Sequence, residues 1–155
     1  MPIKEYNSTI RNLEQRLRSF RSSINAYISD AVRDNESRLV SYIADSQLFR
    51  HGINGEGVKI MSYAPYTALT VKIKKAKGQP YNRVTLRDTQ AFHRSMRVVI
   101  DSDGFYVTSD DYKTELLVEK YGPLIFRPTK KNLTLLVRKY IKNELQKKLK
   151  EAIRQ

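Results

Sequence analysis

The chain has 155 residues, of which 40% are hydrophobic and 29% charged, a balance typical of a folded protein of about one domain. It contains no cysteine, which excludes a disulfide framework and a thiolate metal site and suits a reducing interior. Because there is neither a secretion signal nor a stretch approaching roughly 18 apolar residues, we expect a soluble protein without membrane contact.

The net charge of +13 is unevenly distributed. Residues 1–50 are nearly balanced, whereas ten Lys or Arg residues from position 127 onward face only Glu144 and Glu151. A second basic group consists of Lys72, Lys74, Lys75 and Lys77. Such charge predicts an anionic partner, and nucleic acid, an anionic lipid surface and an acidic protein surface would each satisfy it.

Apolar residues at the start of the chain recur at spacings of mostly three and four, which is typical of a helix with a narrow apolar seam. The pattern lapses over 33–37 and then resumes without an intervening Pro or Gly, so we favour one helix to about residue 50 over two helices. A helix of about 45 residues spans on the order of 67 Å, so we expect part of the seam to contact another subunit. The seam consists of Ile3, Tyr6, Ile10, Leu13, Leu17, Phe20, Ile24, Tyr27 and Ala31.

A glycine-rich turn over 52–57 is expected to end this helix and to act as a flexible hinge, because three glycines and an Asn-Gly dipeptide permit positive φ. The segments 58–60 and 70–73 alternate like strands. Pro65 and the basic run through Lys77 favour an extended arm over a core strand. We therefore predict a loop and an extended basic arm over 51–84.

A short helix and a hairpin are predicted next. Asp88 or Thr89 is placed to cap the helix, with Phe92 and Met96 on its apolar edge. Two β-rich runs, 97–100 and 105–108, then flank an Asp-Gly dipeptide, which is the pattern of a β-hairpin.

The remaining residues predict two further helices. The first runs over about 111–120, with Leu116, Leu117 and Tyr121 facing inward and Gly122-Pro123 closing it. Thr129 is placed to cap the second, which is amphipathic with a basic opposite face. Its apolar stripe consists of Leu133, Leu136, Val137, Tyr140, Ile141, Leu145, Leu149 and Ile153.

These elements predict one α+β domain over 1–155. Its parts are a projecting N-terminal helix (1–50), the loop and extended basic arm (51–84), and an α+β core (85–155). The core combines a small antiparallel sheet, formed by the hairpin, with short helices and the amphipathic C-terminal helix.

No catalytic set is apparent. His51 and His93 have no second ligand at metal-binding spacing, so we interpret both as surface or loop residues. Helix capping and solvated faces explain the acidic pairs at 110–111 and at Glu115 and Glu119. The glycines at 52–57 lack the residues of a phosphate loop. We therefore predict no enzyme activity, no cofactor and no metal.

The best candidate for nucleic-acid binding is the basic arm. It combines the four lysines with Tyr66, Tyr81 and Arg83, and charge beside aromatic rings is typical of such sites. A solvated, mobile loop explains the arm equally well. The basic face of the last helix is explained in the same way, as the wet side of an amphipathic helix.

The block from Tyr81 to Met96 resembles a family of tailed-bacteriophage virion proteins: neck, head-tail connector and minor tail or tail-completion components. That family shares the pattern Leu-x-Asp-Thr-Gly-x-Leu/Phe-x-x-Ser-aliphatic, then a hairpin, a short helix ending in Tyr/Phe-Gly, and a C-terminal helix. The resemblance covers roughly residues 50 to 145. Gln90 stands where the family usually has glycine, and 126–128 replaces a more variable loop. The matching residues are Leu86, Asp88, Thr89, Phe92, Ser95, Met96, Tyr121 and Gly122.

The resemblance implies a structural virion subunit, repeated as a homo-oligomeric ring at the portal or tail axis. Its partners would be portal, adaptor or tail subunits, with DNA passing through the channel, and its location the virion, or the host cytoplasm during assembly. By the same resemblance, the side chains of Asp88 and Thr89 would bond backbone N–H groups of the turn, a structural role. The alternatives are a basic nucleic-acid-binding protein that uses the arm (Lys72, Lys74, Lys75, Lys77, Arg83) and the C-terminal basic helix, and, less favoured, a hydrolase using Asp110, Asp111 or Glu119.

Overall fold

The computed structural model describes residues 3–154, with the side chains of residues 8–154. It confirms an α+β protein, largely helical, with one two-stranded antiparallel sheet. The α-helices are α1 (Ile3–Asp34), α2 (Glu36–Ser41), α3 (Ala68–Ala76), α4 (Ala91–Arg94), α5 (Thr114–Tyr121), α6 (Lys130–Leu136) and α7 (Lys142–Arg154). The strands are β1 (Met96–Asp101) and β2 (Gly104–Ser109). Two segments are π-helical, Tyr42–His51 and Val137–Ile141, and two are 3₁₀ turns, Ile60–Ser62 and Pro123–Phe126.

Backbone contacts divide the chain into two compact units. One combines the chain through Asp34 with the chain from Leu135 onward, and the other is Asn35–Thr134. This division differs from the predicted segments 1–50, 51–84 and 85–155, and a single folding domain stays a prediction.

In the first unit, α7 packs along α1. The rings of Phe20 and Tyr27 lie 5.6 Å apart, and the Lys148 ammonium lies 5.9 Å from the Tyr27 ring centroid. The chain's own last helix therefore covers part of the seam for which another subunit was expected. Ile10 and Leu17 remain 39% and 40% exposed. The side chains of Ile3 and Tyr6 lie outside the described residues.

The predicted continuity of the N-terminal helix is wrong at Asn35. This residue leaves the helical conformation, with φ −113° and ψ 16°, and α2 begins at Glu36. Asn competes for backbone hydrogen bonds, and the polar run 33–37 offers no apolar side chain to hold a helical turn in place. The predicted end is confirmed, because Gly52 closes the π-helical segment in the left-handed conformation.

A buried amide, Gln47, connects two segments of the second unit. Its Nε2 donates to the Arg127 carbonyl at 3.0 Å, while its Oε1 accepts from the Thr129 N–H at 2.7 Å and from Asn132 Nδ2 at 2.9 Å. Thr129 Oγ1 in turn accepts from the Asn132 N–H at 3.3 Å, which confirms the predicted cap of α6. One side chain thus ties the π-helical segment to the start of α6.

The glycine-rich turn is not a hinge, because the surrounding chain fixes it. The buried Asn54 accepts hydrogen bonds at its Oδ1 from the N–H groups of Glu56 and Val58. Gly55 donates its N–H to the Leu124 carbonyl at 2.9 Å and lies so close to Arg127 that an added Cβ would stand 2.5 Å from the Arg127 Cβ.

The predicted extended arm is wrong over 68–76, which forms α3. Thr67 caps this helix by accepting the Thr70 N–H at 3.2 Å. The apparent strand alternation covers only four residues, 70–73, and such short runs do not distinguish strand from helix. Of the other strand-like segment, Lys59 makes a single bridge to Ile53, and Ile60 begins a 3₁₀ turn.

The hairpin is confirmed, with Asp101 opposite Gly104 and Met96 opposite Ser109. Its first strand is joined to α2, because the Val98 N–H donates to Glu36 Oε1 at 2.7 Å. The predicted inward face of α5 is correct for Tyr121, which is buried, and wrong for Leu116, which is 64% exposed. In the last predicted stripe, Leu133, Val137 and Ile153 are exposed.

We expect Gly55→Ala to lower the free energy of unfolding by about 1 to 3 kcal/mol, because the new methyl group overlaps Arg127 in a packed turn. Chemical denaturation measures this loss. Gly57→Ala is the control: its φ of +80° strains alanine, but nothing lies within 4 Å of the added Cβ. Equal stability of wild type and Gly55→Ala would contradict the close packing of this turn.

Candidate functional site

The block that carries the family resemblance begins with a turn built on two left-handed residues. Leu86 has φ +52° and Gln90 has φ +71°. Side chains other than glycine disfavour this conformation by about 1 to 2 kcal/mol. Gln90 therefore adopts a backbone conformation that suits glycine, the residue usual at this position in the family, and the turn forms without it.

The two polar residues of the turn have different roles. Thr89 Oγ1 accepts the Ala91 N–H at 3.4 Å, as expected for a residue that organises the start of α4. The expectation is wrong for Asp88, whose carboxylate accepts from Lys77 Nζ at 2.8 Å and from Gln79 Nε2 at 3.2 Å. These hydrogen bonds hold the pKa of Asp88 below its usual range, and the one from Lys77 has the larger effect. Asp88 thus connects the turn to the end of α3.

The next residues of the block attach α4 to the hairpin. Ser95 Oγ lies 2.7 Å from Ser109 Oγ, and Ser109 Oγ donates to the Phe92 carbonyl at 3.0 Å. Phe92 and Met96 are buried, and the Phe92 ring lies 5.6 Å from that of Phe126. The predicted apolar edge of the short helix is therefore confirmed.

The Tyr121-Gly122 pair ends α5. Gly122 has φ +81°, which a glycine adopts without strain. Tyr63 Oη donates to the Tyr121 carbonyl at 3.0 Å. The Tyr121 side chain is buried, and burial raises its pKa to about 12.

His93 is not the surface or loop residue that was expected, since it is only 6% exposed. Its Nε2 lies 3.0 Å from the Thr85 carbonyl, so Nε2 carries the proton. Its Nδ1 has no hydrogen-bond partner among the described residues. Burial, reinforced by the charge of Arg87, lowers the pKa of His93 to about 4. His51 is exposed, as expected.

The five basic residues predicted for nucleic acid or an acidic partner do not form one open surface. Lys72 and Lys75 are exposed, and the Lys75 ammonium lies 4.7 Å from the Tyr81 ring centroid. Lys77 is paired with Asp88. Arg83 Nε donates to the Phe49 carbonyl at 2.8 Å. Lys74 is buried, with a relative exposure of 7%.

Lys74 borders a cavity of about 170 Å³ that lies beside the resemblance block. Its walls come from α3, from the turn at 86–90 and from α5 with the residues just before it. The lining residues that matter for its chemistry are Tyr66, Lys74, Arg87, Asp88, Asp111 and Lys113.

Several contacts of this site were not predicted from the sequence. Tyr66 Oη accepts the Thr85 N–H at 3.0 Å, and the Arg87 guanidinium lies 4.3 Å from the Phe49 ring centroid. Gln79 bridges Lys74 and Asp88. These partners are far apart in the chain and follow no spacing rule, so only the aromatic residue beside the basic run, Tyr66, carried a signal.

We expect Gln90→Val to lower the free energy of unfolding by about 1 to 2 kcal/mol relative to Gln90→Gly, because a β-branched residue is strained at positive φ and glycine is not. The two variants both remove the hydrogen bond from Arg87 Nη2 to Gln90 Oε1, so their difference isolates the backbone. Denaturant titration measures it, and equal stabilities would argue against the left-handed turn.

His93 predicts a loss of stability in mild acid. Its pKa is about 4 in the folded chain and 6.5 when unfolded, so below pH 6.5 the unfolded state binds the additional proton. Stability attributable to the neutral ring falls as the pH drops from 6.5 to 4, by about 3 kcal/mol in total.

The control for this pH effect is His93→Gln, which keeps a donor for the Thr85 carbonyl and does not titrate. We expect thermal unfolding followed from pH 7 to pH 4 to show a smaller decrease in this variant. Parallel pH profiles for wild type and variant would exclude His93 as the source.

Among residues 8–154, whose side chains the structure describes, no three His, Cys, Asp or Glu residues are grouped so as to hold a metal ion. No helix in the described chain has the length and hydrophobicity needed to cross a membrane. In comparisons with known proteins, no family model, no curated protein and no solved structure matches the chain.

Proposed function

We propose that this chain is a structural subunit of a tailed-phage particle, a ring-forming head-tail connector or tail-completion protein. It acts through protein contacts and not as an enzyme, and it resides in the virion, or in the host cytoplasm during assembly. Two observations support the proposal. The residues that match the pattern of the resembled family stabilise the fold, and large apolar side chains at other positions are exposed.

The family-like residues make internal contacts. Thr89 organises the start of α4, Ser95 connects α4 to the hairpin, and Gly122 ends α5. Such contacts explain why a short pattern recurs at these positions in a family of structural proteins, since each residue determines the position of a neighbouring element. None of them requires a substrate.

Two exposed apolar patches lie on the second unit. The α5 patch consists of Tyr112 and Leu116, which are 84% and 64% exposed. The α3 patch consists of Leu69 and Ile73, which are 67% and 45% exposed. Leu69 and Ile73 have the i, i+4 spacing that places side chains on one face of α3, whereas Tyr112 lies in the turn just before α5. Large apolar side chains that are exposed in such groups are typical of protein interfaces.

Two patches suit a ring. In a closed ring of identical subunits each interface is heterologous, so every subunit uses two different surfaces, one for each neighbour. We assign the α5 patch to one neighbour and the α3 patch to the other. Portal, adaptor or tail subunits would then contact the remaining faces of the ring.

A basic nucleic-acid-binding protein is the second candidate. The observation that favours it is the exposed Lys75 beside Tyr81, because cations next to aromatic rings bind single strands. The internal contacts of Lys74, Lys77 and Arg83 weaken it, since they leave fewer charges in the arm for phosphate contacts. In the ring, the exposed charges would face channel DNA or acidic neighbours.

Substitution of either patch should abolish ring assembly. We expect Leu69→Asp and Leu116→Asp each to leave the purified protein unable to form rings, because a charge is introduced where apolar surface meets a neighbour. Both leucines are mostly exposed, so folding should be preserved. Native mass spectrometry with circular dichroism measures assembly and folding together.

Mixing the two variants tests the assignment of the patches. Each variant keeps one intact patch, so an equimolar mixture should form heterodimers and no larger closed species. The matched control is Ile153→Asp on α7, which is 47% exposed and lies in neither patch, and it should assemble as wild type does. Normal rings from Leu69→Asp or from Leu116→Asp alone would contradict the assignment.

A further inference from the structure

The cavity beside the resemblance block contains a buried lysine that is incompletely paired. The Lys74 ammonium donates to Gln79 Oε1 at 3.1 Å and to the Arg87 carbonyl at 3.3 Å, and it lies 5.2 Å from the Tyr66 ring centroid. Both acceptors are neutral. An ammonium group has three donors, and the two hydrogen bonds leave one for another acceptor.

The lysine also lacks a close counter-charge. No carboxylate of the described residues lies within 4.0 Å of its ammonium. The carboxylate of Asp88 is paired with Lys77 at 2.8 Å, so two lysines of α3 and its C-terminal end depend on one acid. A buried cation without a paired anion is unfavourable, and proteins normally provide one.

The remaining charges of the cavity do not correct this imbalance. Asp111 accepts the Lys113 N–H at 2.8 Å, and Lys113 and Arg87 belong to the same lining. The Arg87 guanidinium lies 4.3 Å from the Phe49 ring centroid, and the Lys113 ammonium lies 5.4 Å from that of Tyr112. Of the two acidic residues in the lining, Asp88 is already paired with Lys77, which lies outside it.

We propose that this cavity binds one carboxylate group, presented by an aspartate or glutamate side chain of a partner polypeptide, with Lys74 as its principal contact. The volume of about 170 Å³ suits a single side chain, because sites for small-molecule cofactors are typically about 300 to 1,000 Å³. The aromatic ring of Tyr66 and the side chain of Leu117 would cover its methylene groups.

The acids of the lining select a carboxylate over a phosphate group. Asp88 and Asp111 repel any anion, and they repel a doubly charged phosphate more strongly than a singly charged carboxylate. A concave site bordered by acids is also poorly placed to follow a nucleic-acid backbone. The proposal does not require the partner to be a phage protein, so it stands or falls separately from the proposed function.

Titration of the full-length protein with short peptides tests the site. The probe is acetyl-Gly-Glu-Gly-amide, and acetyl-Gly-Gln-Gly-amide is its neutral counterpart. We expect the glutamyl peptide to shift the NMR signals of Lys74, Arg87 and Thr89, and to bind about tenfold more tightly than the glutaminyl peptide, because a charged hydrogen bond is replaced by a neutral one. The same titration is carried out with inorganic phosphate and with a duplex oligonucleotide.

Variants locate the contact. Lys74→Met removes the charge and keeps much of the side-chain volume, and it should weaken glutamyl-peptide binding about tenfold. Lys72→Met removes a charge from the exposed side of the same helix and should leave the affinity unchanged. Circular dichroism establishes folding, and if Lys74→Met is unfolded, Lys113→Gln at the same cavity replaces it.

Several results would overturn the proposal. These are glutamyl and glutaminyl peptides that bind equally or not at all, signal shifts that map outside the cavity, and equal effects of Lys74→Met and Lys72→Met. Tighter binding of phosphate or duplex than of the glutamyl peptide would assign the site to nucleic acid instead. Ring assembly is measured separately, so its failure would leave these outcomes unaffected.

Discussion

The left-handed turn between Leu86 and Gln90 is the constraint on which the arrangement of the second unit depends. Two side chains adopt a conformation that costs free energy, and the surrounding contacts hold them in it. From this turn Asp88 reaches the end of α3, and α4 follows, whose Phe92 and Ser95 contact Phe126 and the hairpin. The turn therefore determines where α3, the hairpin and the cavity lie relative to one another.

The same turn explains why some basic residues of this region are exposed while others are paired or buried. Because Asp88 projects toward α3 instead of capping α4, it neutralises Lys77. Lys74 lies about one helical turn earlier, is buried beside the Tyr66 ring and lines the cavity. A run of lysines that resembles one surface in the sequence is in this way divided by the helix into an exposed side and a buried side, and only the exposed side is available to a polyanion.

The sequence predicted those features that depend on local chemistry. The hairpin follows from β-rich runs around an Asp-Gly pair, the end of the π-helical segment from Gly52, and the cap of α6 from Thr129. Features that depend on distant partners were not predictable. Gln47 lies 80 residues from Arg127 in the chain, so no local pattern indicates their contact. The burial of His93 depends on its place in the fold, where its ring contacts the Thr85 carbonyl. α3 was missed because a four-residue alternation fits strand and helix equally.

Two observations lead to the proposed virion ring: the sequence resembles a family of virion proteins, and the α5 and α3 patches are exposed. The most direct measurement is a cryo-electron microscopy reconstruction of intact phage particles purified from cells in which this protein is produced. The account predicts density for the α+β fold, repeated as a closed ring between head and tail, with the α5 patch of one subunit against the α3 patch of the next. Absence of the protein from purified particles would contradict it.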